Sequence, residues 1–115
     1  MTFDSRALMS VIRKGPAYEL ILDAIIRDPC PRVCATSLAE LAILLNANGD
    51  RLASMTVQSV VFRLNMSVVP FLDADWPKAL DAYQELKSPS APPRLSQCLI
   101  AATVARTGSQ LYQDG

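Results

Sequence analysis

The sequence predicts an α/β fold, a three-layer α/β/α arrangement around a central, mostly parallel sheet of four strands. Three observations predict it. Short apolar segments alternate with segments of helical periodicity, and strands separated by helices pair in parallel through crossover connections. Half of the residues are apolar while only 6% are aromatic, so the layers are packed with Leu, Ile, Val and Ala, a globular composition rather than a disordered one. The 115 residues suit one domain, spanning 1–115, large enough to bury a core without staples.

Each element follows from local pattern. Met1-Thr2-Phe3 starts a very short strand, and Asp4-Ser5 opens a helix whose apolar positions Ala7, Leu8, Val11 and Ile12 keep helical spacing until Gly15-Pro16 breaks it. A second helix carries Tyr18, Ile21, Leu22, Ile25 and Ile26 and ends at Asp28, before Pro29-Cys30-Pro31. Arg32-Val33-Cys34-Ala35 is the next strand. Thr36-Ser37 begins a third helix that runs through Leu41 and Leu45 to the Asn48-Gly49 stop. From Arg51 to Leu64 the chain is helical, with Leu52, Met55, Val60, Val61 and Leu64 facing inward, and Ser67-Val68-Val69-Pro70 forms the third strand. Asp73 begins a helix with Trp76, Ala79, Leu80, Tyr83 and Leu86 at helical spacing. The stretch Ser88-Pro89-Ser90-Ala91-Pro92-Pro93 is an exposed loop that no helix crosses. Leu95 to Arg106 is the last helix, Gly108 ends it, and Gln110-Leu111-Tyr112-Gln113 is the fourth strand.

Composition narrows the chemistry. A formal net charge of zero provides no global field toward nucleic acid, so any RNA must be met by local Arg and Lys. The chain has no histidine, and its three cysteines, Cys30, Cys34 and Cys98, form no CxxC pair. The usual zinc ligand sets and the Ser-His and Cys-His nucleophiles are thereby excluded. The cysteines read as reduced thiols, mostly packed, of a cytoplasmic protein. No apolar stretch approaches a membrane span, and the N-terminus lacks a signal-peptide layout.

What remains is carboxylate chemistry. Asp4, Glu40 and Asp114 each stand where a short strand runs into a helix or a loop. In an open parallel sheet the carboxyl ends of the strands form one rim, so acids distant in sequence meet there, and clustered oxygen ligands suit a hard divalent cation. Each acid also has a plain local use. Asp4 suits a helix N-cap, Ser37-x-x-Glu40 reads as a capping box, and Asp114 has the usual solvated place near a terminus.

Four segments together resemble the PIN domain, and specifically the VapC-type toxin ribonucleases of bacterial toxin–antitoxin pairs. They are Phe3-Asp4-Ser5-Arg6-Ala7-Leu8, Val33-Cys34-Ala35-Thr36-Ser37-Leu38-Ala39-Glu40, Leu95-Ser96-Gln97-Cys98-Leu99-Ile100-Ala101-Ala102-Thr103, and Gly108 to Asp114. The resemblance implies a metal-dependent endoribonuclease in which Asp4, Glu40 and Asp114 are the catalytic acids and the ligands of Mg²⁺ or Mn²⁺. It further implies an RNA substrate, a cognate antitoxin, a homodimer, and a sheet of five strands, of which the residues up to Asp114 supply four.

The chain departs from that family at two places. Gln97 stands at the third acid position, and its amide oxygen can ligate a cation without adding charge. Arg6 replaces a small hydroxyl residue, and a pairing with Asp4 or Glu40 would put its guanidinium in the place of the metal. Both changes open the alternative of a catalytically silent PIN-like module that binds a protein partner. The first two helices and the Arg51 to Leu64 helix carry more apolar residues than one side of a small sheet needs, consistent with a groove for a partner helix or with ordinary core. Arg13, Lys14, Arg51, Arg63, Lys87 and Arg94 are scattered basic residues, of which Lys87 and Arg94 flank the proline loop nearest the acids.

Overall fold

The fold is seen in a computed structural model, which describes residues 1–113. Three parallel strands form the sheet: β1 (Thr2–Phe3), β2 (Arg32–Cys34) and β3 (Ser67–Val69), in the order β1-β2-β3. Thr2 and Phe3 lie opposite Arg32 and Val33, and Arg32, Val33 and Cys34 lie opposite Ser67, Val68 and Val69. The predicted fourth strand is corrected to a single bridge. Leu111 pairs in parallel with Thr2, whose N–H donates to Gln110 O at 2.8 Å while its carbonyl accepts from Tyr112 N–H at 2.8 Å. A two-residue β1 presents only this one pair of ladder bonds on its outer side, so the segment beside it cannot extend into a strand.

Side chains alternate along each strand, and the two faces take different partners. Phe3 and Val33, paired in register, are fully buried among Leu8, Ile21, Ile25 and Leu41. Those four come from α1 (Ser5–Arg13), α2 (Tyr18–Arg27) and α3 (Ala35–Ala47), and α4 (Ala53–Arg63) closes this face with Ala53 and Val57. On the opposite face the thiol of Cys34 meets Thr103 of α6 (Leu95–Thr107). Burial pushes that thiol up from its ordinary pKa, which marks an inert packed cysteine. Cys98 is also buried, and Cys30 is exposed.

The inward face of α4 differs from the sequence expectation. Leu52 and Met55 are exposed, while Ala53 and Val57 are buried and Val60, Val61 and Leu64 are partly buried. Small residues let the helix approach the core closely, and the larger ones are displaced to its flank. Similarly, α5 (Trp76–Leu86) buries none of its residues, so Trp76, Leu80 and Leu86 form an outward apolar stripe while the helix rests on α6.

Two features hold the strand ends in place. A 3₁₀ turn over Asp73–Asp75 links β3 to α5, and the buried Asp75 accepts from Arg106 Nε at 2.8 Å and from Leu72 N–H at 2.9 Å. Arg106 also donates to Pro70 O at 2.7 Å, so one guanidinium ties the last turn of α6 to the exit of β3. No helix is long and apolar enough to cross a membrane among the described residues.

Candidate active site

Because all three strands run the same way, their carboxyl ends open onto one rim, where α1 and α3 begin. Asp4 follows β1 directly and caps α1, its Oδ1 accepting from Ala7 N–H at 2.9 Å. Glu40 lies inside α3, which starts at Ala35 with Cys34 as its uncapped N-cap residue. The capping box expected from Ser37 to Glu40 is therefore not formed. Instead Glu40 Oε1 accepts from the hydroxyl of Ser5, a buried residue at the start of α1. The reason is register: α3 begins before Ser37, so the Ser37 N–H lies within the helix and the Glu40 carboxylate is released to cross to α1.

These two acids meet. Asp4, Ser5, Ser37, Glu40, Ser96 and Gln97 are among the residues around one small cavity of about 20 Å³, which Arg94 and Ile100 also line. That is room for about one water-sized group. Oδ1 of Asp4 and Oε1 of Glu40 are occupied by donors from α1, and Oδ2 and Oε2 accept from no described residue. Gln97 reaches the site as the resemblance implied, but its Oε1 accepts from Arg94 N–H at 2.8 Å and so caps α6. Asp114 lies outside the described residues.

Arg6 does not take the place anticipated for it. It makes no ion pair with Asp4 or Glu40 among the described residues, and it lines a second, larger cavity of about 580 Å³ that Asp4 also borders. Asp4, Arg94, Gln97 and Ile100 border both cavities. Sequence reasoning missed Ser5, whose role depends on a contact across helices. The only local signal is its position directly after the first acid.

The donor set consists of oxygen alone, the chemistry of a hard cation. No group of three or more Asp, Glu, Cys or His able to hold a metal occurs among the described residues. Two carboxylates nevertheless fit Mg²⁺ or Mn²⁺, since Mg²⁺ is commonly held by one or two carboxylates with water and substrate phosphate completing the shell.

On the opposite flank, an apolar groove of about 550 Å³ runs between α1 and α4, with Val11, Ile12, Leu52, Met55 and Val60 among its walls. It is the position of the displaced residues of α4.

Comparison with known proteins places this architecture. No curated protein matches the chain. Among solved structures it is similar to VapC20 of Mycobacterium tuberculosis, described as a sarcin–ricin loop cleaving toxin, with a TM-score of 0.78 at 13% identity over 99% of this chain and 88% of that one. At such identity the likeness is one of fold. The sequence model of the PIN domain matches residues 1–112, and with a parallel sheet whose rim gathers Asp4 and Glu40 the chain belongs to the PIN domain family.

Proposed function

We propose that this chain is a metal-dependent endoribonuclease, the toxin of a toxin–antitoxin pair, which hydrolyses RNA phosphodiester bonds at the rim where Asp4 and Glu40 meet. The observation that carries the reading is that these two acids, one at the end of β1 and one inside α3, share one cavity in a PIN domain and, among the described residues, each keep one oxygen without a protein donor. The likeness in fold to a toxin that cleaves the sarcin–ricin loop supports it. Asp114 is assigned as a further acid of the site, beside Asp4 and Glu40, by its match to the family's last one.

In this reading Asp4 and Glu40, with Asp114, hold Mg²⁺ or Mn²⁺. The chemistry such an ion supplies is Lewis acidity toward a phosphoryl oxygen and toward water. Ser5 keeps the Glu40 carboxylate turned into the cavity, and the Ala7 N–H does the same for Asp4. The antitoxin lies as a helix in the groove between α1 and α4, where Leu52 and Met55 stand exposed. The working form is a cytoplasmic homodimer.

Cleavage of a structured RNA in Mn²⁺, compared between the wild type and Asp4→Asn, tests the reading. The expected outcome is Mn²⁺-dependent cutting that Asp4→Asn abolishes. Cutting that survives the substitution unchanged, or no cutting and no Mn²⁺ uptake by calorimetry, sinks it. Gln97→Asp restores the missing charge and is expected to tighten Mn²⁺ binding.

A further inference from the structure

The larger cavity beside the acids is left without a role by that reading. It holds about 580 Å³, within the range of small-ligand sites, and Arg6, Arg94, Gln97, Tyr112 and Asp4 are among its walls. It shares Asp4, Arg94, Gln97 and Ile100 with the acidic cavity as wall residues, so the two are neighbours and a chain lying across both would pass from one to the other.

Two arginines lining one polar hollow suit an anion. Neither Arg6 nor Arg94 makes an ion pair among the described residues, although Asp4 shares the hollow with both. Both also stand at helix starts, Arg6 in the first turn of α1 and Arg94 as the N-cap residue of α6. A cation there opposes the helix dipole, a cost that the N-cap Asp4 offsets at the start of α1 and that a bound anion would offset at both starts. Guanidinium forks match phosphate oxygens in geometry as well as in charge. With zero formal net charge overall, the attraction for a polyanion must be local.

We infer that Arg6 and Arg94 form a phosphate subsite, which binds the RNA backbone phosphate next to the scissile one and aligns the strand across Asp4 and Glu40. This rests on the nuclease reading for the identity of the ligand. It turns Arg6 from a competitor of the metal into a substrate contact, and the choice of RNA over an acidic peptide comes from the nuclease reading, since the carboxylates of the neighbouring cavity repel both polyanions alike.

The test separates binding from cutting. Anisotropy of a short fluorescein-labelled single-stranded oligoribonucleotide is followed in EDTA across a salt series, for the wild type, Arg6→Gln, Arg94→Gln and the control Arg51→Gln, which lines neither cavity. Each cavity variant is expected to reduce the slope of log affinity against log salt by about 0.7, the value for one phosphate contact on a single strand. Arg6→Lys and Arg94→Lys are expected to retain the slope, which a merely structural loss would not do. Slopes for both glutamine variants equal to that of Arg51→Gln overturn the inference, as does a glutamate-rich peptide whose binding depends on these arginines when RNA binding does not. Arginine-dependent RNA binding without any cleavage in Mn²⁺ would instead overturn the nuclease reading and leave the subsite standing.

Discussion

Asp75 shows how much a single side chain settles here. Its burial opposes ionisation, but the Leu72 N–H and the Arg106 guanidinium outweigh that penalty and hold the carboxyl below its ordinary value. A carboxylate depressed in the folded state contributes stability that is complete above the unfolded value of about 4 and is lost as the pH falls through the folded value. Asp75→Asn is therefore expected to cost about 2 kcal/mol at neutral pH, the scale of a hydrogen bond to a charged group. The gap to the wild type should close in acid. Urea midpoints at neutral pH and at about pH 3 measure both, and equal midpoints at neutral pH would refute the account. Among the acids of the rim, Asp4 serves two purposes, capping α1 with one oxygen and facing the cavity with the other. Its N-cap role was legible from Asp4-Ser5 alone; the bond from Ser5 to Glu40 was not, because it joins helices that no local pattern relates.

At the scale of elements, burial decides which apolar stripes matter. In α3, Leu41 is fully buried and Leu45 nearly so, whereas Leu80 of α5 is 55% exposed. Leu41→Ala is expected to destabilise by about 3 kcal/mol, through lost transfer energy and the cavity left behind. Leu80→Gln should change stability by less than about 0.5 kcal/mol, as at other surface positions. Chemical denaturation of the two variants compares them directly, and similar losses would show that α5 is held more tightly than its exposure indicates. Helical periodicity located both stripes but could not tell them apart, since exposed and buried faces share one spacing. The same limit explains α4, where Leu52 and Met55 share the helical period of the core positions yet line the groove beside it.

At the scale of the molecule, the fold stands apart from any metal. The core between β1, β2 and α1 to α4 is built from Phe3, Val33, Leu8, Ile21 and Leu41, none of which faces the acids' cavity. The chain is therefore expected to stay folded in EDTA, losing only the increment that bound ion adds, and to lose cleavage. Excess Mn²⁺ should raise stability by about 2.7 kcal/mol at one hundred times its dissociation constant, because an ion binding only the folded state shifts the equilibrium by mass action. Thermal melts in EDTA and in Mn²⁺ read this, and the increment should vanish in the Asp4→Asn, Glu40→Gln double variant. An increment that persists there would place the ion elsewhere.

The sequence by itself determined the alternation of short strands and helices, and hence a parallel sheet whose carboxyl ends lie on one rim. It placed Asp4 at the junction of β1 and α1 as well, because a strand-to-helix junction is marked by local polarity and turn chemistry. The tertiary structure alone decided that β1 is too short to recruit a full fourth strand, that Glu40 is held by Ser5 rather than by its own helix, and that Arg6 lines a neighbouring cavity without pairing with either acid. Each of these depends on distances between segments far apart along the chain, and such distances follow from how whole layers pack rather than from any window of neighbouring residues.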